Sequence, residues 1–186
     1  LQPAIEVVDL SRLEPVSGER GPAATDAAVG PNDDDVAVQM YTAAFEGHPR
    51  GAQITHGGYM AEAASVSLAL ALTEADAALV TVPLFHTFGL ELAIAALARG
   101  GKCILADPFD ARESSRIMER EGVSVLVCAG QHLVDLLGET ERRQGAFSCL
   151  RVIMGSGASK EMRGMVRAVA PRARFMDAVY GQPESG

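Results

Sequence analysis

The sequence predicts an α/β fold: a mainly parallel sheet with helices on both faces, in three αβα layers. Short apolar strands alternate with helical segments over most of the chain, which is the pattern of βαβ units. The strand segments 77–83 and 123–128 are largely apolar, which indicates a sheet that is covered on both sides. The 186 residues, 48% of them hydrophobic, suffice for one core of ordinary size.

The first 35 residues differ from the rest of the chain. Residues 5–10 form a short apolar run and are predicted to be a strand. Residues 15–35 are rich in Gly, Ala, Pro and Asp and end in three consecutive aspartates, which predicts a mobile, solvated linker. We therefore divide the chain into a leading segment, 1–35, and an α/β domain, 36–186.

Strands and helices then follow one another in a regular order. The predicted strands are 36–42, a short strand after residue 51, 77–83, 102–106, 123–128, 151–154 and 174–179. The predicted helices are 56–72, 89–98, 110–121, 131–137 and 159–169. The first strand is expected to be buried. Asp110, with Glu113 three residues later, is a capping-box pattern and predicts the start of the third helix.

Composition excludes several classes of protein. The net charge is −8, from 16 Lys and Arg against 24 Asp and Glu, and the absence of a basic stripe argues against nucleic-acid binding. Cys103, Cys128 and Cys149 are far apart, which predicts reduced thiols in a cytoplasmic protein. No apolar run approaches the roughly 20 residues of a transmembrane helix. The start at Leu1, without an initiator Met, predicts a piece of something longer.

Three glycine-bearing segments follow predicted strands, at 43–51, 155–158 and 181–186. Ligands of parallel α/β sheets bind at the carboxyl ends of the strands, so we expect these segments to share one site. The first segment is the most informative. Its glycines and proline shape a loop that can present backbone N–H groups, and Arg50 adds a permanent cation, which together suit a phosphate. Taken alone, such a segment is more often an ordinary loop between two strands.

Four motifs stand in a fixed order along the chain. The first consists of Tyr41, Thr42, Gly47, Pro49, Gly51, Thr55 and His56. The others are Pro83-Leu84-Phe85-His86 with Gly89, Gly155-Ser156-Gly157-Ala158, and Tyr180-Gly181 with Glu184. Their residue types and spacing resemble those of the adenylate-forming acyl-activating enzymes, which include the fatty-acyl-CoA synthetases. The resemblance covers about residues 33–186.

The resemblance implies an activity and a set of roles. Members of this family join a carboxylic acid to ATP, release pyrophosphate, and pass the acyl group from the adenylate to coenzyme A. The acid is expected to be a fatty or other carboxylic acid, with ATP, Mg²⁺ and coenzyme A as co-substrates and cofactors. Arg50 would neutralise phosphate charge, His86 would line the acyl passage, and Glu184 would bind Mg²⁺. The nucleotide would be bound by Ala43, Ala44, Phe45, Glu46, Gly47, Gly155, Ser156, Gly157, Ala158, Tyr180 and Gly181.

The phosphate loop departs from the family pattern. Three hydroxyls and one glycine are replaced, at Ala43, Ala44, Phe45 and Glu46. Hydrogen bonds to charged groups contribute about 1.5–3 kcal/mol each, so we expect weaker nucleotide binding. Glu46 also puts a carboxylate where a phosphate would approach, which is repulsive unless Mg²⁺ bridges the two. Pro183 replaces the threonine of the last motif.

Two classes of function therefore stay open. One is an acyl-CoA synthetase-like ligase, of which these 186 residues would be a part that is inactive alone and needs the rest of its parent enzyme. The other is a non-catalytic relative that binds an acyl group, a nucleotide or a partner protein. A homodimer is possible in either case. His86 is either a packed core histidine or a channel residue. For His56, capping or packing against its helix is preferred over acid–base chemistry. Glu184 is either a metal ligand or solvated.

Overall fold

A five-stranded parallel sheet forms the centre of the protein in the computed structural model, which describes residues 30–43, 47–106, 108–139, 144–156 and 159–177. The elements are β1 (Val36–Tyr41), β2 (Gly51–Thr55), α1 (His56–Leu70), β3 (Ala77–Val80), α2 (Thr87–Ala98), β4 (Lys102–Leu105), α3 (Ala111–Glu121), β5 (Val125–Ala129), α4 (Gly130–Gly138), β6 (Val152–Ser156), α5 (Lys160–Val169) and β7 (Arg174–Asp177). A 3₁₀ turn, Gln144–Phe147, precedes β6. The predicted strand at 5–10 lies outside the described residues.

The strand order, β4-β3-β5-β6-β7, contains a reversal. From β3 the chain moves outward to β4 at the sheet edge, then returns to place β5 on the other side of β3. The two connections leave in opposite directions, so the carboxyl ends of β3 and β5 flank a crevice. Open α/β sheets bind ligands at such a switch point. The order of strands thus locates a candidate site before any side chain is considered.

Alternation along the strands divides the core between the two faces of the sheet. Val80 and Val127 pack with Leu70 and Leu92 of α1 and α2 on one face. Leu79, Leu126 and Ile153 pack on the other face, with Leu133, Leu136 and Phe147 among their neighbours. Successive strand residues point to opposite faces, so continuous apolar strands need helices on both sides. The predicted three-layer α/β fold is confirmed. Among the described residues, no helix is long and apolar enough to cross a membrane.

The first predicted strand is the exception, because it does not belong to the parallel sheet. β1 pairs antiparallel with β2 in a separate two-stranded hairpin. Val36 is 50% and Tyr41 64% exposed, whereas Met40 is buried. The prediction of a buried strand was therefore wrong: in this hairpin Met40 and Ile54 are buried, and the other side chains are half-buried or exposed. The loop at residues 43–50 consequently connects two antiparallel strands and does not follow a strand of the parallel sheet.

At the amino end of the sheet, one ion pair joins several elements. Asp76, 6% exposed, accepts hydrogen bonds from the Arg151 Nε (2.8 Å), the Ser124 Oγ (2.7 Å) and the backbone N–H of Thr73 (2.9 Å). Arg151 also donates to the carbonyl oxygens of residues 70 and 71, at 2.9 Å each. These carbonyls lie at the end of α1, where they lack helical partners. The network therefore fixes the end of α1 beside the starts of β3 and β6.

This anchor also fixes the direction of α1. Its last turn lies at the amino end of the sheet, so its first turn lies toward the carboxyl end, about 22 Å away for 15 residues at 1.5 Å each. α2 runs the same way, since it starts after β3, and the Ser67 Oγ near the end of α1 reaches the Ala95 carbonyl near the end of α2 at 3.1 Å. Both helix N-termini are thus on the side of the crevice.

Candidate functional site

The crevice between β3 and β5 is bordered by residues that directly follow the strands. Thr81 follows β3, is 2% exposed, and its backbone N–H donates to the Val127 carbonyl at 3.0 Å. Ala106 follows β4 and donates its N–H to the Val80 carbonyl at 2.9 Å. These bonds continue the sheet ladder by one residue beyond the strands, which gives the crevice a rigid floor.

His86 caps the helix that begins at this edge. Its ring Nδ1 accepts a hydrogen bond from the backbone N–H of Phe88 at 3.2 Å, and the backbone N–H of His86 donates to the Pro83 carbonyl at 3.2 Å. The side chain is exposed, so the interpretation as a packed core histidine is wrong. The cap also explains why α2 starts at Thr87, two residues before the predicted start. The role of His86 toward an acyl group stays a prediction.

Gly89 allows the start of α2 to pack directly against the backbone of residues 82 and 83. A Cβ built on Gly89 would lie 2.4 Å from the Pro83 carbonyl oxygen and 2.9 Å from that of Val82. Both are backbone atoms, which cannot rotate away as a flexible side chain can. Only glycine therefore lets the first turn of α2 fold back over the end of β3 and hold His86 at the carboxyl edge.

The hairpin loop is closed by two hydrogen bonds. The Thr42 N–H donates to the Arg50 carbonyl at 3.0 Å, and the Arg50 N–H donates to the Thr42 Oγ1 at 3.1 Å. Gly47 has a φ of 83°, which favours glycine. Ala43 and Arg50 are exposed, and within the described ranges the guanidinium has no carboxylate partner. Among the described residues Arg50 is thus an exposed cation without a carboxylate partner, whereas Ala44, Phe45 and Glu46 lie outside the described residues.

The turn from β2 into α1 is capped by Thr55. Its Oγ1 accepts from the Gly58 N–H at 3.2 Å, and the His56 N–H donates to the Asp35 carbonyl at 2.9 Å. His56 is the first helical residue and is half-buried. Of the two alternatives for His56, capping by its side chain is therefore replaced by Thr55, and the Thr-His pair has a structural explanation.

Gly155 and Ser156 are the last two residues of β6, which extends two residues beyond the predicted end of this strand, and their role toward adenine stays a prediction. They pair with Cys128 and Ala129 of β5. A Cβ on Gly155 would lie 3.1 Å from the Cys128 carbonyl oxygen, so strand packing alone already favours glycine there. Gly157, Ala158, Tyr180, Gly181 and Glu184 lie outside the described residues. Their roles toward adenine and Mg²⁺ stay predictions, and the described ranges contain no cluster of three or more potential metal-binding side chains.

Glu62 of α1 and Glu91 of α2 form an acidic pair between the two helices. This pair was not predicted from the sequence. Glu91 is 6% and Tyr59 3% exposed, and Glu62 is half-buried. Burial, followed by the Glu62 charge, raises the pKa of Glu91 to about 8. Burial also raises the pKa of Glu62, although its hydrogen bond with Glu91 opposes this. The pair therefore retains a proton at neutral pH.

Replacing Glu91 by Gln should stabilise the protein at high pH. The pKa of a carboxyl in the unfolded chain is about 4.3, so the folded state binds a proton that the unfolded state has lost between pH 4 and 8. Stability must therefore fall across this interval in the natural protein. We expect E91Q to be about 1–3 kcal/mol more stable at pH 8 and equal at pH 4, measured by urea unfolding. E74Q, at an exposed carboxylate, is the control. Parallel pH profiles for E91Q and the natural chain would disprove the shared proton.

A second cluster that the sequence did not reveal lies at the switch point itself. The Thr81 Oγ1 donates to the Val127 carbonyl and contacts the His132 Nδ1, each at 3.0 Å. The His132 ring stacks on Phe109, with ring centroids 4.0 Å apart and planes inclined by 15°. These residues come from the ends of different elements, β3, α4 and the loop before α3.

A doubly wound sheet, a crevice at its switch point and a basic hairpin loop together define an open α/β ligand-binding domain. The sequence matches the family described as AMP-binding enzyme over residues 2–186, and the chain belongs to that family. The predicted resemblance to adenylate-forming enzymes is thereby confirmed.

Individual relatives support the same placement. The 2-succinylbenzoate–CoA ligase of Geobacillus kaustophilus is 32% identical over 155 residues, which are 82% of this chain and 31% of the relative. Among solved structures, a chain assigned as a long-chain-fatty-acid CoA ligase of Rhodopseudomonas palustris matches with a TM-score of 0.67 and 32% identity, covering 74% of this chain and 34% of that one.

The third comparison is a liganded structure. The O-succinylbenzoate coenzyme A synthetase of Bacillus subtilis, in complex with ATP and magnesium ion, matches with a TM-score of 0.66 and 28% identity, over 74% of this chain and 29% of that chain. The matched regions cover about a quarter to a third of the length of the curated relatives.

Proposed function

We propose that this chain is the sheet-bearing part of an ATP-dependent acid–CoA ligase that works through an acyl-adenylate. The observation that supports this most is the match to the AMP-binding family along the chain, together with a switch-point crevice where such a sheet binds ligands. In the proposed reaction a carboxylate oxygen attacks the α-phosphate of ATP, pyrophosphate leaves, and a thiol then displaces AMP from the acyl carbon.

The substrate is proposed to be an aromatic carboxylic acid. The resemblance implied a fatty or other carboxylic acid, with fatty acids preferred, and one related structure is assigned to the fatty-acid class. Several curated relatives, however, are 2-succinylbenzoate–CoA ligases, among them two that are 32% identical to this chain. Aryl acids, 2-succinylbenzoate first among them, are therefore the preferred class, and fatty acids are the competing one.

ATP, Mg²⁺ and coenzyme A are the proposed co-substrates and cofactors. The exposed Arg50 guanidinium suits phosphate charge, and the end of β6 offers backbone at which adenine can approach. The described residues do not by themselves provide a protein cage for Mg²⁺. This still fits Mg²⁺ that enters with ATP, because that ion needs only one or two carboxylates beside the phosphates. Glu184 is the proposed carboxylate.

A non-catalytic binding module is the second candidate, and one observation favours it. Thr42 has the one aliphatic hydroxyl left in the loop motif before Gly47, and this hydroxyl already accepts a hydrogen bond from the Arg50 N–H. With Ala43 beside it, this part of the loop has few side-chain groups left for a phosphate. Calorimetric titration with Mg·ATP distinguishes the candidates: micromolar binding supports the ligase, and no heat at millimolar nucleotide supports the module.

Partners beyond small molecules are also proposals. The relatives are three to four times as long as their matched regions, so we propose that residues 1–186 need further polypeptide to complete the reaction. Leu68 and Leu97, 75% and 60% exposed on α1 and α2, provide apolar surface for that polypeptide or for a second copy in a homodimer.

ATP–pyrophosphate exchange tests the reaction. The full-length protein is incubated with ATP, labelled pyrophosphate and one acid at a time, from benzoate, 2-succinylbenzoate and a fatty-acid series. Exchange that depends on an aryl acid is the expected result. Exchange with fatty acids only would correct the substrate class, and none with any acid would leave the binding module.

Replacing Arg50 by Ala should weaken nucleotide binding by about 10–100-fold, since a hydrogen bond to a charged group contributes about 1.5–3 kcal/mol. The measurement is calorimetric titration with Mg·ATP. R167A is the matched control, because Arg167 is an exposed arginine in the last turn of α5. If R50A and R167A bind alike, the loop cation does not contact the nucleotide.

A further inference from the structure

His132 is unusual because its ring is held on two sides while one nitrogen stays unused. Phe109 covers one face of the ring at 4.0 Å, and Thr81 contacts Nδ1 at 3.0 Å. The other nitrogen, Nε2, has no hydrogen-bond partner among the described residues. It is also not one of the polar atoms that are fully buried there without a partner. Nε2 is therefore accessible, although the rest of the side chain is half-buried.

The hydrogen-bond network determines the tautomer of this ring. A threonine hydroxyl has a single proton, and Thr81 donates it to the Val127 carbonyl at 3.0 Å. With the hydroxyl proton directed to Val127, the histidine is the donor in the contact between Nδ1 and Thr81 Oγ1. Nδ1 consequently holds the proton of the neutral ring, and Nε2 is left with a lone pair, as an acceptor.

The location of Nε2 indicates that its partner is a ligand. Thr81 follows β3, and His132 lies in the first turn of α4, directly after β5. These are the two strands that flank the reversal in strand order, where an open α/β sheet binds its ligand. A purely structural histidine would need only the contact through Nδ1, and Thr81 already joins β3 to β5 through Val127.

We propose that His132 accepts, through Nε2, a hydrogen bond from an O–H or S–H group of a ligand in the crevice. This inference rests on the proposed function, in which such a group is either a ring hydroxyl of an aryl acid, which 2-succinylbenzoate itself lacks, or the thiol of the acyl acceptor. His132 is thus a specificity-determining residue, Thr81 is the positioning residue that sets its tautomer, and Phe109 fixes the ring plane.

Matched ligand pairs test the proposal in the full-length protein. The first pair is 4-hydroxybenzoate and benzoate, and the second is coenzyme A and its S-methyl derivative. Calorimetric titration gives an affinity ratio for each pair. We expect the natural protein to favour the O–H or S–H member of at least one pair by about three- to tenfold, as for a single hydrogen bond. The pair that shows the preference identifies the source of the donor.

Two substitutions assign that ratio to Nε2. In H132N the amide nitrogen replaces Nδ1 and keeps the bond to Thr81, but no atom replaces Nε2, so the ratio should fall to about one. In H132Q the amide oxygen reaches toward the position of Nε2 and should restore part of the ratio. Ratios near one in the natural protein, or unchanged in H132N, would overturn the proposal.

Nitrogen NMR of the ring supplies a second readout, which does not depend on any variant folding. The free protein should show a neutral ring with its proton on Nδ1, and the Nε2 resonance should shift when the preferred ligand binds. A proton on Nε2 in the free protein would overturn the proposal. Pyrophosphate exchange by the natural protein is measured separately. Exchange without a preference for the O–H or S–H ligand rejects only the proposed role of His132. A preference without exchange rejects only the proposed ligase activity.

Discussion

Replacing Asp76 by Ala is expected to lower the free energy of unfolding by about 3 kcal/mol. Removing one partner of a buried ion pair costs about 3–5 kcal/mol, because the remaining charge is left uncompensated. The lower end applies because the Arg151 side chain is 35% exposed and water can partly solvate it. Three further donors lose their acceptor, the Ser124 hydroxyl and the backbone and side-chain donors of Thr73. Urea unfolding measures the change.

Two comparisons separate the ion pair from the mere loss of a carboxylate. D135A, which removes an exposed carboxylate bonded only to Gln131 within the described ranges, should change stability by less than about 0.5 kcal/mol. R151M should be less harmful than D76A, since its stem keeps apolar packing, although Asp76 then keeps only its hydroxyl and amide donors. Equal stability of D76A and D135A would show that the pair does not anchor α1.

The same carboxylate predicts how stability responds to acid. Burial would raise the pKa of Asp76, but hydrogen bonds from Arg151, Ser124 and Thr73 outweigh it and hold the pKa well below its usual range. A depressed folded pKa contributes stability above the unfolded value of about 3.9 and loses it as pH falls below that value. The stability gap between the natural protein and D76A should therefore be constant above pH 5 and narrow below pH 4.

Replacing Gly89 by Ala is the second large effect. The new methyl group would lie 2.4 Å from the Pro83 carbonyl oxygen, so either α2 or the residues before it must move. Overpacking of this kind costs about 1–3 kcal/mol, and here it also displaces the His86 cap. We expect G89A to unfold at lower urea concentration and to lose acid-dependent pyrophosphate exchange more than nucleotide binding.

Gly164 is the matched control for this substitution. It lies within α5, and a Cβ there would meet no atom within 4 Å. G164A should therefore stabilise the protein by about 0.5–1 kcal/mol, because alanine loses less backbone entropy than glycine in a helix. If G89A is as stable as G164A, the close approach to Pro83 is relieved at no cost and the steric argument fails.

The parallel sheet could be predicted because its signal is local. Apolar runs such as that around Leu79 and Leu126 have no polar alternation, which requires cover on both faces. The hairpin could not be predicted in the same way, because the segment Val36–Tyr41 also consists mostly of apolar residues. Whether it pairs inside a parallel sheet or in a separate hairpin depends on distant strands.

The candidate site divides along the same line. Arg50, His86 and Gly89 belong to motifs with fixed spacing, so the sequence indicated them directly. His132 and Thr81 do not, because their contact exists only once β3 and β5 are neighbours. The same holds for Glu62 and Glu91, which meet where α1 packs against α2. Such pairs follow from topology and leave no pattern along the chain.

The position of the Asp76–Arg151 network has an evolutionary consequence. It fastens the amino end of the sheet, whereas Arg50, His86 and His132 belong to turns and helix starts away from that anchor. Substitutions in the hairpin loop can therefore accumulate without removing any member of this network. In evolution, the residues of the candidate site can therefore change while the sheet and its anchor at the amino end are retained.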